Sequence, residues 1–251
     1  MKSMKILSVL VLLFIVTLIS NSQVVNVESK RVRTDTTGWS GTLDATYDIV
    51  KNTEYIFNIG LISQLQYKNK KFLTFILTDY RLVKAAGTQY INTGYVHLRF
   101  DQKILPRLTW EYFVQGQFNQ VLDVGFRGLA GTGPRFKLYD SDKFRCYIAS
   151  LYMYEYEENV AKTIFRRNHR SSSYLTFTID FDRFEVVHTT YYQPKYTDLK
   201  DYRIASQTAL KISIFKQLSF KTTFSFRYES IPFPNIPKTT YSVTNGLSLK
   251  F

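Results

Sequence analysis

From about residue 37 to its last residue the chain alternates apolar and polar positions with period two. Tyr55, Phe57, Ile59, Leu61, Leu65 and Tyr67 fall on one face of a stretch whose other face holds Asn58, Gly60, Gln64 and Gln66. Leu218, Phe220, Phe224, Phe226 and Tyr228 oppose Lys221, Thr223, Ser225, Arg227 and Glu229. Tyr241, Val243, Leu247, Leu249 and Phe251 oppose Thr240, Ser242, Thr244, Gly246, Ser248 and Lys250. Successive side chains of a strand point to opposite faces, so this is a strand signature. No stretch of comparable length carries the 3.6-residue period of an amphipathic helix. The pattern predicts twelve strands, at about 37–50, 54–67, 71–83, 88–102, 107–118, 122–138, 144–158, 171–181, 184–192, 202–215, 218–229 and 240–251. The third, seventh and ninth have mixed faces, which leaves their register open. No further repeat, low-complexity linker or composition break divides the chain, so 37–251 reads as one domain.

Strand length decides which face meets water. Strands of globular proteins usually run about 5–6 residues, whereas many of these run 12 to 15. Fourteen residues at about 3.3 Å each, tilted about 40°, rise roughly 35 Å, enough to cross an apolar band of about 25 Å. Tyr47, Tyr55, Tyr67, Tyr80, Tyr90, Tyr156, Tyr202, Tyr228 and Tyr241 lie at or near predicted strand ends. Their amphipathic rings suit interfacial girdles. The longest predicted connections, about 159–170, 193–201 and 230–239, all follow odd-numbered strands, and the even-to-odd connections are short. Outer-membrane barrels have short periplasmic turns and longer external loops. The expected fold is therefore all-β, an antiparallel transmembrane β-barrel of about 12 strands with periplasmic N- and C-termini.

The N-terminus agrees with that location. Residues 1–22 read as a cleaved signal peptide, with Lys2 and Lys5 before an apolar run from Ile6 to Ile19, and Ser20 and Ser22 ahead of a cut at Gln23. Fourteen helical residues rise only about 21 Å, too little for a membrane anchor. Residues 23–36 are expected to be a periplasmic extension or to pack in the barrel mouth. The chain has 33 Lys+Arg and 20 Asp+Glu, and loss of Lys2 and Lys5 leaves 31 against 20. The single Cys excludes a disulfide scaffold and a thiolate metal cluster. Nucleic acid is not an expected partner outside the cell, whatever the charge.

With the apolar faces toward lipid, the opposite faces line the lumen. This register places Asp44, Asp48, Asp79, Asp101, Glu111, Asp123, Glu155, Glu157, Asp180, Asp182, Glu185 and Glu229 there. It also places Lys71, Arg81, Arg99, Arg127, Arg135, Lys137, Arg145, Arg183, Arg203, Lys211, Lys221, Arg227 and Lys250 there, so the lumen is nearly neutral. Buried charges need partners. The expectation is a narrow or plugged lumen crossed by ion pairs, with Arg99, Glu111, Arg127, Arg135, Glu155, Glu157 and Asp180 in the network. The excess positive charge is densest at Lys162, Arg166, Arg167 and Arg170, in the longest predicted external loop. Guanidinium forks suit phosphate, so this loop is a candidate contact for lipopolysaccharide or an acidic envelope partner, against a solvated loop as the alternative. Gly125, Gly128, Gly131 and Gly133 fall within one predicted strand. No helix follows them, which excludes a phosphate-cradling loop. Glycine on an inner wall makes room for a large neighbour, a place Arg127 and Arg135 are able to fill.

The last strand ends Thr244-Asn245-Gly246-Leu247-Ser248-Leu249-Lys250-Phe251. It resembles the terminal signal of bacterial outer-membrane barrels, with Thr244, Gly246, Leu249 and Phe251 in the signal positions. The resemblance implies recognition by the barrel-assembly machinery. The run from Asp123 to Phe136 (DVGFRGLAGTGPRF), with Tyr154-Glu155-Tyr156-Glu157 and Arg170-Ser171-Ser172-Ser173-Tyr174, resembles the family of salt-induced outer-membrane proteins, a domain-of-unknown-function family. The resemblance spans about residues 37–251 and implies no activity. The Ser22-Gln23 cut site is similar to leaders of Bacteroidetes secreted proteins.

Catalytic groups are sparse. His169-Arg170-Ser171 resembles the His-x-Ser core of outer-membrane phospholipase A, but Ser172-Ser173 stands where Asn-Gly follows in that enzyme. No His or carboxylate cluster has metal-ligand spacing, and no cofactor is expected. The preferred reading is a non-catalytic envelope protein, structural or accessory, embedded among outer-membrane lipids. A small channel for a polar solute comes second, and a lipid-active enzyme using His169 and Ser171 third.

Overall fold

The computed structural model describes residues 37–51, 55–85 and 88–250. The expected signal peptide, the 23–36 extension and Phe251 lie outside these residues. Twelve strands form among them: β1 (Gly38–Lys51), β2 (Tyr55–Lys68), β3 (Phe72–Ala85), β4 (Thr88–Leu105), β5 (Leu108–Asn119), β6 (Val124–Asp140), β7 (Phe144–Asn159), β8 (Phe165–Asp180), β9 (Phe184–Lys195), β10 (Asp198–Ser213), β11 (Leu218–Glu229) and β12 (Thr239–Lys250). Each pairs antiparallel with its sequence neighbours, and β12 returns to β1 to close a barrel. Closure pairs the last strand with the first, the arrangement that a sheet crossing hydrocarbon requires. The β1–β12 seam is short, running from Thr42↔Lys250 to Ala45↔Leu247 among the described residues.

The two faces of the wall differ as the alternation requires. Leu61, Leu65, Ile76, Leu98, Val114 and Leu247 point outward and stay exposed, Val114 at 52%. A water-soluble barrel would bury such a belt; a membrane barrel presents it to lipid. At the end with short turns, outward aromatics link neighbouring strands. Trp39–Tyr67, Tyr67–Phe72, Phe72–Phe100 and Phe100–Tyr112 have ring centroids 5.2, 6.1, 5.5 and 6.2 Å apart. At the opposite end Tyr202 sits 5.8 Å from Tyr192 and 5.6 Å from Tyr228. These are the interfacial girdles.

The strand ends correct two expected loops. β8 starts at Phe165, so the β7–β8 connection is 160–164, and residues 196–197 alone join β9 to β10. The β11–β12 connection, 230–238, keeps its expected length. The alternation faded at these ends because both faces become polar there. Arg166, Asn168 and Arg170 point inward, while Arg167 and His169 point outward and exposed. The ladder nevertheless continues, with Glu157 opposite Arg166 and Glu155 opposite Asn168. The mixed faces of β3 and β7 have the opposite cause, since part of the lumen is apolar. Leu73, Phe75, Leu77 and Tyr95 form one buried cluster inside, and Ala149, Leu151, Tyr174, Tyr191 and Ala205 form another.

Candidate functional site

The lumen is filled by side chains in two charged layers. In the outer layer Glu155 on β7 is fully buried. It accepts hydrogen bonds from Arg127 Nε on β6 at 2.6 Å, Arg170 Nε at 2.8 Å and Asn168 Nδ2 at 3.1 Å on β8, and Arg203 on β10. Arg203 also donates to Glu229 at 2.6 Å and to Glu157 at 3.0 Å. Arg227 on β11 donates to Glu229. Arg170 reaches Asp201 Oδ1 at 2.8 Å and the carbonyls of Gln193 and Asp201 at 3.2 and 3.1 Å. The layer thus sets Arg127, Arg170, Arg203 and Arg227 against Glu155, Glu157, Glu229 and Asp201, four cations and four anions drawn from five strands.

The inner layer centres on Glu111 of β5, also fully buried. Arg99 of β4 lies 3.4 Å and Arg135 of β6 3.3 Å from its carboxylate, and Tyr174 Oη donates to it at 2.8 Å. Arg135 also approaches Asp101 at 3.9 Å and stacks over the Tyr147 ring, 4.1 Å from its centroid. Between the layers lies a cavity of about 40 Å³ touching both Arg99 and Arg127, room for roughly three waters. Asp180 is not in either layer. It pairs with Arg145 at 2.5 Å near the short-turn end, half-exposed.

Two glycines of β6 sit where a side chain has no room. Gly131 lies opposite Phe113, and a Cβ there would sit 2.4 Å from the Phe113 ring and 2.9 Å from the Tyr152 carbonyl oxygen. At Gly133 a Cβ would meet the Ser150 carbonyl oxygen at 2.5 Å and Leu151 Cα at 2.7 Å. The room at Gly131 is therefore taken by Phe113, in place of the expected Arg127 or Arg135.

The mouth at the end away from both termini is covered. Arg166 donates to the carbonyls of Ile231 and Pro232, each at 3.1 Å, and lies 4.2 Å from the Phe233 ring centroid. Phe233 is buried against Leu122 and Val124 of the β5–β6 region. The 230–238 connection is thereby drawn over the opening. This corrects the expected basic loop: only Lys162 lies in a connection. Arg166 ties down a different loop, Arg167 points outward, and Arg170 is a buried member of the outer layer. Sequence reasoning missed Arg170 and Asp201. The available signal was parity, since Arg170 shares a face with Ser172 and Tyr174.

His169 and Ser171 both face outward on β8 without forming a dyad. His169 Nδ1 is hydrogen-bonded to Tyr152 Oη, and Ser171 Oγ to Ser173 Oγ at 3.1 Å. Of the terminal-signal residues, Thr244 accepts from Arg81 at 3.2 Å in the lumen, and a Cβ on Gly246 would meet Thr46 Cγ2 at 2.8 Å. Leu249 faces outward, exposed.

The family model described as "Protein of unknown function, DUF481" matches residues 20–251. The chain belongs to this family. Comparison with curated proteins gives no match. Among solved structures the chain is similar to the NanC porin, at 10% identity and a TM-score of 0.52, covering 84% of this chain and all of that one. It is also similar to the KdgM porin, at 10% identity, TM-score 0.48 and coverage of 85% and 99%. The translocator domain of the autotransporter NalP from Neisseria meningitidis follows at 7% identity, TM-score 0.44 and coverage of 86% and 90%. At these identities the likeness is one of fold: the DUF481 chain is a barrel of outer-membrane porin type.

Proposed function

We propose that this DUF481 chain is a non-catalytic outer-membrane barrel with an envelope role, structural or accessory, whose narrow lumen is closed at rest. One observation carries this reading: Glu155, buried and held by Arg127, Arg170 and Arg203, locks four strands together across the interior. Such a layer neutralises itself and offers a passing ion no single-sign field. The covered external mouth and the inner layer add two further barriers. The longest connection between described strands, 230–238, lies at the end opposite both termini, which supports a periplasmic location for the termini. The signal peptide, barrel-assembly recognition through the C-terminal strand, and lipopolysaccharide and an envelope protein as partners belong to the same proposal. The separate hydrogen bonds of His169 and Ser171 support the absence of lipase chemistry.

A second reading is a small channel for a polar solute. The lumen-facing Thr42, Thr46, Thr223, Ser225, Ser242 and Thr244 of β1, β11 and β12 are half-buried and mostly small. A passage would follow this wall, past the Lys221–Asp44 ion pair of 2.7 Å. Single-channel recording on the refolded mature protein separates the two: silence supports the closed scaffold, and reproducible steps support the channel.

A further inference from the structure

At the short-turn end the lumen widens into a cavity of about 620 Å³. Its floor is the inner layer, where Arg135 meets Glu111 and Asp101. Eight basic side chains line it against two carboxylates, Asp101 and Asp140. Three of the eight are matched: Arg135 by the floor, Lys137 by Asp140 at 2.6 Å, and Arg145 by Asp180 at 2.5 Å. Lys70, Lys71, Lys103 and Arg107 make no ion pair among the described residues. Cations so arranged repel one another until an anion joins them.

The turns carrying these groups are fixed in advance. Asn69 Oδ1 accepts from the backbone N–H of Lys71 and of Phe72, both at 2.8 Å. The Lys103 N–H donates to the Lys71 carbonyl at 2.9 Å, and the Lys137 N–H to the Arg107 carbonyl at 2.9 Å. The β2–β3 and β4–β5 turns are thus bolted to their neighbours, so little ordering remains to be done when a ligand arrives. Thr109 and Thr178 add hydroxyl groups to the wall. The preceding segment, 23–36, carries Lys30, Arg31 and Arg33 against Glu28 and Asp35, so it brings no net negative charge.

We propose that this vestibule is a binding site for a ligand with clustered phosphate groups, entering from the periplasm. The volume lies within the roughly 300–1,000 Å³ of small-molecule sites. Several unmatched cations in one cavity call for a compact, multiply charged anion; a terminal phosphate brings more charge than a carboxylate, and paired phosphodiesters bring two charges close together. Arg107 offers a planar fork to phosphate, and the lysines act as point charges. The ligand is either a soluble phosphate compound or the head of a diphosphate lipid. Only the word periplasm rests on the sidedness proposed above; the site itself does not depend on whether the lumen conducts.

The test is calorimetric titration of the mature protein, refolded in a neutral maltoside detergent, with pyrophosphate. Low salt keeps the screening length at about 10 Å or more. Wild type is expected to bind, and Lys162→Glu, at the opposite end, to bind within about twofold of it, while Lys71→Glu/Lys103→Glu weakens binding by at least about tenfold. Both altered residues are exposed, and heat-modifiable gel migration reports that each variant has folded. Repeating the titration in phosphatidylcholine vesicles with and without cardiolipin assigns the source. Competition by cardiolipin identifies a lipid head, and its absence a soluble ligand. No heat of binding in wild type, or equal weakening by Lys162→Glu, overturns the proposal.

Discussion

Replacing Glu155 by Gln removes the anion on which the outer layer converges. The side chain keeps its size and one acceptor oxygen, so Asn168 and one arginine still have a hydrogen-bond partner. What is lost is charge: Arg127, Arg170, Arg203 and Arg227 then face Glu157, Glu229 and Asp201, four cations against three anions. Breaking a buried pair by removing one partner costs about 3–5 kcal/mol, mostly through the charge left behind. The retained amide places Glu155→Gln near the lower end, about 3 kcal/mol. Glu158, next to the end of β7 and bonded among the described residues to Tyr156 Oη at 3.0 Å, provides the comparison, and Glu158→Gln should stay within about 0.5 kcal/mol of wild type. The assay is urea unfolding in lipid vesicles, followed by the emission of Trp39 and Trp110. If charge imbalance is the cause, adding Arg203→Met to Glu155→Gln restores three against three and recovers about 1–3 kcal/mol relative to the sum of the single changes. A Glu155→Gln protein within about 1 kcal/mol of wild type would refute the reasoning.

Other parts of the account are testable separately. Gly131→Ala should lose about 1–3 kcal/mol by overpacking and recover part of it when Phe113 becomes Leu, whereas Gly133→Ala, opposed by backbone, should not recover with any side-chain change nearby; urea midpoints decide. Arg166→Ala should free the 230–238 connection and speed tryptic cleavage after Lys238 on intact cells, and an unchanged rate would count against the cover. Fatty-acid release from phospholipid vesicles should be at background for wild type, Ser171→Ala and His169→Ala alike, and a wild-type rate abolished by Ser171→Ala would restore the enzyme reading.

The barrel was legible because the lipid imposes one rule on every strand: outward positions are apolar. Wherever that rule holds, as in β2, β11 and β12, the strand ends fall within about a residue of expectation. It fails where the outward face leaves the hydrocarbon. At Arg166–Arg170 both faces are polar, so a strand looked like a loop and Arg170 was placed outside when it sits at the centre of the lumen. It also fails where the lumen is packed with Leu73, Phe75 and Leu77, because apolar residues on both faces erase the alternation. The pairing of Glu155 with three arginines was beyond pattern reasoning. Alternation gives the face of a residue but not its height, and height is fixed by the register of the five strands from β6 to β10. Which side chain occupies the space at Gly131 follows from the same register, through its position opposite Phe113.

Whether the lumen is closed is the central question, and planar-bilayer recording on the refolded mature chain asks it most directly. Heat-modifiable migration certifies the barrel, and Arg166→Ala combined with Glu155→Gln serves as a variant with both cover and outer layer loosened. The account predicts a silent wild type and conductance steps in the double variant. Reproducible steps in the wild type, with a conductance the two substitutions do not change, would contradict it and point to a polar passage along β11, β12 and β1.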